Sequence, residues 1–251
     1  MDQIYIPKNR TGMDIGEYVV VSSLESGIET EKQFKPYFYG LKNIEPIKLE
    51  VIKRIFSMIA IKNDNIIITG SFLDKGFMFN DIDILIIREE ELNADAIKRK
   101  ISSLGIKPHL IILSRNAIIQ GLSTDPLYNL MLSRCISRKR IIYKTERKIN
   151  FKLLDLNLLR SKSLIDNFDI LGGNEKYYLT LNLISLFLFV KGKRLSYENI
   201  NREIEKIFMV SPKKIKENLI GKDFMQKFHK SYDKTFNLIM EGIKNEQKQT
   251  D

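Results

Sequence analysis

The chain has 251 residues, 43% hydrophobic and 29% charged, with a formal net charge of +10. That is a globular composition, long enough for one or two domains around a buried core, and its basic balance points toward polyanionic partners. A single cysteine, Cys135, excludes an intramolecular disulfide and a cysteine-based zinc site, and the longest strongly apolar stretch, residues 183–190, is too short to cross a bilayer.

In chain order, Ile4–Ile6 and Tyr18–Val21 read as two short strands around a loop holding Gly12 and Gly16. With the polar linker that follows, they predict a small N-terminal β element over residues 1–45. The string IPKNRTGMDIGEYVVV is loosely similar to the half-barrel hairpins of AbrB-type DNA-binding proteins. An accessory hairpin packed on the core or on a neighbouring subunit is the plainer reading. Phe34, Tyr37, Phe38 and Tyr39 are expected to pack on the core, with base stacking as the alternative. Pro46 opens a helix, IKLEVIKRIFSMIAI, apolar at three- and four-residue spacing.

Residues 66–87 read IIITGSFLDKGFMFNDIDILII. Each apolar run is short, β-branched and bounded by turn residues, so each predicts a buried strand. Gly70 and Ser71 end the first strand, and Asp81 and Asp83 open the second. Side chains alternate across a strand, so the two carboxylates share a face, about 6.6 Å apart along it. Two carboxylates beside a Gly-Ser turn suit a divalent cation and a phosphate chain. Glycine lets backbone approach closely, serine and nearby N–H groups donate to phosphate oxygens, and Mg²⁺ takes one or two carboxylates plus phosphates and waters. The plain alternative is two acids that keep an exposed strand end solvated.

Further on, REEELNADAIKRKISSLG predicts a charged amphipathic helix begun by Glu89–Glu91 and ended by Gly105. IKPHLIILS, residues 106–114, predicts a third strand. Thr124-Asp125-Pro126 starts a helix continuing to residue 135, and Ile141–Tyr143 predicts a short strand. Beyond residue 150 the pattern is helical, over 153–165, 175–190, 196–208, from 211 onward, and 223–246. The expected fold class is α+β, with a mixed-sheet core over 46–150 and an all-helical domain over 151–251.

The strand, Gly-Ser, spacer and Asp-Ile-Asp combination resembles the nucleotidyltransferase superfamily typified by DNA polymerase β, over about residues 50–145. The stretch after Gly173 resembles the helical region that helps close the cleft in many members. The resemblance implies a nucleotidyltransferase-type sheet with flanking helices. It implies transfer of a nucleoside monophosphate (NMP) from an NTP, with Asp81 and Asp83 as ligands of Mg²⁺ or Mn²⁺ and Gly70 and Ser71 cradling the β- and γ-phosphates. Lys75 in the loop, and Lys191 and Lys193 at the basic turn after 183–190, are candidate phosphate contacts.

Members usually carry a third carboxylate on a later strand. Here that position holds His109, and imidazole suits transition metals better than Mg²⁺. Three readings stay open. The site works with Asp81 and Asp83 alone, His109 serves as general base because imidazole exchanges protons near neutral pH, or the fold binds NTP or nucleic acid without turnover. Residues 134–152 hold eight Lys and Arg against Glu146 alone. Arg138, Lys139 and Arg140 within that run are the expected contacts of an RNA acceptor, a tRNA end included. The plain alternative is a lysine-rich solvated surface. A small-molecule or protein acceptor is the remaining enzymatic alternative, and a cationic small molecule would be repelled by the basic charge. With no basic–apolar–small leader at its start, the chain is expected in the cytoplasm and away from membranes.

Overall fold

The computed structural model describes residues 35–59, 65–77, 79–143 and 145–250, which belong to one compact unit, Lys35–Asp251. The two N-terminal strands expected from sequence, and Phe34, lie outside the described residues.

One mixed sheet holds β1 (Tyr37–Tyr39), β2 (Asn65–Thr69), β3 (Ile82–Ile87), β4 (Pro108–Leu113) and β5 (Cys135–Ser137), in the order β1-β5-β2-β3-β4. The β3–β4 pair is parallel and the other pairs are antiparallel. Helices α1 (Pro46–Met58) and α2 (Ala94–Ser102) cover one face, and α3 (Arg115–Thr124) and α4 (Pro126–Ser133) cover the other. Ile66, Ile68, Ile82, Ile84 and Ile86 point to the first face. Ile67, Leu85 and Ile87 point to the second. Burial on both faces explains why β2 and β3 read as unbroken apolar runs. The α1 stripe of Val51, Ile52, Ile55 and Phe56 completes the first core, each side chain contributing about 1.5–3 kcal/mol by leaving water.

Three local expectations are corrected. The helix after β3 begins at Ala94, capped by the Asn93 side chain, which accepts from Ala96 N–H. Glu89 instead accepts from the backbone N–H of Arg115, at the start of α3. The short strand is Cys135–Ser137 rather than Ile141–Tyr143, so α4 stops at Ser133. The cause is tertiary. Cys135 and Ile136 are fully buried between β1 and β2, whereas Ile142 is largely exposed. Of the aromatics, Tyr39 packs on the second core and its hydroxyl accepts from Ile141 N–H, while Tyr37 and Phe38 are exposed.

Residues beyond 150 form helices only, among those described: α5 (Phe151–Asp166), α6 (Gly173–Val190), α7 (Tyr197–Phe208), α8 (Pro212–Lys216) and α9 (Lys222–Thr250). Their core includes Leu158, Leu183, Leu186, Phe208, Phe224 and Phe228, and Leu130 of α4 joins it. Asn150, Ser196 and Ser211 cap α5, α7 and α8 through side-chain oxygens. No described helix is long and apolar enough to cross a membrane.

Candidate functional site

The end of β2 and the starts of β3 and β4 meet at one end of the sheet. Asp83 stands opposite Thr69 in the antiparallel register and beside His109 in the parallel one. Asp83 and His109 share a face with Leu85, Ile87, Ile111 and Leu113, as the two-residue period requires. His109 Nδ1 lies 2.7 Å from Asp83 Oδ1. The Asp83 side chain is 27% exposed and that of His109 60%, so solvent and ligand can reach both. Gly70 has φ +80°, and a Cβ there would fall 1.9 Å from Asp83 Oδ2. Only glycine meets both conditions: a backbone outside the L-residue regions and a carboxylate packed on its Cα. Asp83 is thus held between the Gly70 backbone and the His109 ring.

Ser71 is exposed and opens a single 3₁₀ turn, Ser71–Leu73, whose last residue donates to Gly70 C=O. Asp81 is half-buried, one residue before β3, and shares the strand parity of Asp83.

The loop between Ser71 and Asp81 is fastened from two sides. On one side, Lys48 of α1 is 1% exposed. Its ammonium donates to Asp74 C=O and lies 3.5 Å from Glu45. The rings of Phe72, Phe77 and Phe79 surround it at 5.4–5.6 Å, within the range of cation–π attraction. Glu45 also accepts from Gly76 N–H at 2.8 Å. Burial pushes the Glu45 carboxyl up, but the Gly76 hydrogen bond and the Lys48 charge hold it below the usual glutamate value.

On the other side, the Asp74 carboxylate accepts from Arg134, at the head of β5, and from Lys216 of α8 at 3.3 Å. Arg134 also donates to Leu73 C=O at 2.6 Å. Burial pushes the Asp74 carboxyl up, yet the Arg134 hydrogen bond and the charges of Lys216 and Arg134 hold it below the usual aspartate value. Tyr197 lies under Arg134 and Tyr177 under Lys216, at 5.6 and 4.6 Å. Burial pushes the Tyr177 hydroxyl up to about 12 and that of Tyr197 higher still, so both stay protonated at neutral pH.

The other residues singled out from sequence are scattered. Lys75 is exposed in the loop. Lys191 caps the C-terminus of α6 with its ammonium 4.4 Å from the Phe187 ring, and Lys193 C=O accepts from Arg147. No hydrogen bond or ion pair among the described residues joins either to Gly70–Asp83. Arg138, Lys139 and Arg140 follow β5, where Arg138 N–H donates to Ile66 C=O and Lys139 N–H to the Asn65 side chain. That is the far end of β2 from Gly70, about 13 Å along the strand.

Sequence reasoning passed over Lys48, Asp74 and Lys216, and placed Arg134 only within a basic run. Lys48 did leave a signal. It occupies the apolar stripe of α1 with Val51, Ile52, Ile55 and Phe56, where a charge needs a partner. Lys216 left none, since it is one of three lysines in a short exposed helix.

Compared with known proteins, the chain matches no family model, no curated protein and no solved structure.

Proposed function

We propose that this chain is a metal-dependent nucleotidyltransferase that moves an NMP from an NTP to a hydroxyl or phosphate acceptor, with RNA as the acceptor class. The observation that carries the reading is the contact of Gly70 with Asp83. Glycine at position 70 leaves the half-buried Asp83 carboxylate directly against bare backbone, where any larger residue would displace it. It makes sense where a phosphate chain and its cation must meet carboxylate oxygen and bare backbone together.

Asp81 and Asp83 would hold Mg²⁺ or Mn²⁺. Their hard oxygens fit such a cation, and NTP phosphates and waters complete its shell, so a third protein acid is not required. When bound, the cation offsets phosphate charge and makes an acceptor hydroxyl easier to deprotonate. Gly70 leaves room for the phosphates, and the exposed Ser71 hydroxyl donates to them. His109 hydrogen-bonds Asp83, and its exposed imidazole would take the acceptor proton. When Nδ1 carries the hydrogen donated to Asp83, Nε2 is the basic nitrogen.

The hydrogen bond between Asp83 and His109 also favours a second reading. An imidazole engaging one carboxylate oxygen suits a degenerate nucleotidyltransferase-type fold that binds NTP or nucleic acid without turnover. Incubating the full chain with α-labelled NTPs, Mg²⁺ or Mn²⁺ and total RNA separates the two. Covalent label on RNA supports transfer. NTP binding with no label on RNA, small molecule or protein leaves the binding module.

A further inference from the structure

Two cations from distant parts of the chain converge on one acid of the Ser71 loop. Arg134 enters from the head of β5 and Lys216 from α8. They carry two positive charges against the single negative charge of Asp74. Asp74 lies three residues after Ser71, and its side chain is 36% exposed, so an anion from solvent can reach the same cations.

The placement of Lys216 is built. Gly173, at the start of α6, lets the Lys216 carbonyl approach so closely that a Cβ there would fall 2.1 Å from its oxygen. Lys176, 3% exposed, donates to Asn218 at 2.7 Å and so pins the turn that ends α8. Asn218 itself has φ +60°, a conformation asparagine tolerates better than most residues. Asp74 is pinned as well, since the buried Lys48 grips its carbonyl. Only its carboxylate can turn away without moving the loop.

We infer that Arg134 and Lys216 form a two-cation receptor for phosphate oxygens and that Asp74 is its internal occupant, so that a polyphosphate binds there by taking both cations from the Asp74 carboxylate. A phosphoryl group brings three acceptor oxygens and more charge than a carboxylate, and charge-assisted hydrogen bonds to arginine and lysine are the strong ones. It therefore wins the exchange, while singly charged anions do not. The protonated Tyr177 and Tyr197 back the two cations without adding charge. The inference deepens the nucleotide reading above and rests on it for the source of the phosphate. The free and the nucleotide-borne source share one chemistry.

The test is calorimetric titration of the full chain, without divalent metal, with inorganic tripolyphosphate and with ATP. Asp74→Asn removes the internal competitor and should tighten tripolyphosphate about tenfold, while Lys216→Gln should weaken it about tenfold. ATP following the same pattern assigns the receptor to a nucleotide. Tripolyphosphate alone following it assigns the receptor to a free polyphosphate. Thermal melts of each variant establish that it is folded. If Asp74→Asn does not fold, Lys216→Gln decides alone, and wild-type affinity in it overturns the inference. Asp74→Asn binding neither tripolyphosphate nor ATP more tightly than wild type also overturns it. The outcome is separable from the transfer reading. Wild type that transfers no NMP sinks that reading and leaves the receptor intact, whereas transfer without the Asp74→Asn gain sinks the receptor alone.

Discussion

His109 Nδ1 lies 2.7 Å from Asp83 Oδ1 because β3 and β4 run parallel with these two residues side by side. The imidazole therefore engages the Asp83 carboxylate directly instead of standing apart. His109→Ala should cut the turnover number for NMP transfer by about 10²-fold or more, the usual worth of a positioned proton acceptor, and leave the KM for NTP nearly unchanged. His109→Asp should keep or raise Mg²⁺-dependent transfer by restoring a hard oxygen. Steady-state kinetics of the two variants check both halves.

Gly70→Ala should abolish transfer in a chain that still folds. The added Cβ meets the Asp83 carboxylate and the backbone leaves the allowed regions for alanine. Strain of this kind costs about 1–3 kcal/mol, which a buried sheet can absorb but a site needing Asp83 in place cannot. Denaturant unfolding combined with the transfer assay separates the two losses.

Asp74 predicts a pH effect on stability with a definite sign. Its folded-state pKa is below the ordinary value, so the folded chain binds fewer protons than the unfolded one there. The stabilisation is complete above the unfolded value of about 4 and is lost as pH falls through the lower folded value. Melting temperature between pH 5 and pH 3 should therefore fall further in wild type than in Asp74→Asn. Equal slopes would show that the Arg134 and Lys216 contacts add nothing.

Much of the site's frame was legible because it is local. Strand period and apolar runs placed β2, β3 and β4, and the spacing of Gly70, Ser71, Asp81 and Asp83 placed them at the junctions of those strands. What could not be read depends on pairings across the fold. Cys135–Ser137 became a strand by burial between β1 and β2, while the more β-prone Ile141–Tyr143 found no strand to pair with. Glu89 capped α3, whose N-terminus is 26 residues away in sequence. Lys216 reaches Asp74 across 142 residues, and no local pattern encodes such a contact.

The placement of Arg138, Lys139 and Arg140 at the far end of β2 makes the acceptor prediction sharper. An RNA that reaches both them and Asp83 must span about the length of β2. Charge reversal of all three should weaken RNA binding, and it should lower the slope of log affinity against log salt by about 2, at about 0.7 per lost phosphate contact. NTP affinity should stay as in wild type. RNA affinity at several salt concentrations, for both proteins, checks this, and an unchanged slope would remove the trio from the interface.

The central claim is that Asp81 and Asp83 serve one metal-bound nucleotide. The direct measurement is transfer of α-label from NTP to RNA by wild type, Asp81→Asn and Asp83→Asn, with thermal melts to establish that each is folded. The account predicts label on RNA with wild type and Mg²⁺ or Mn²⁺, and none with either variant, although both still melt cooperatively. Wild-type transfer retained in both variants would contradict it.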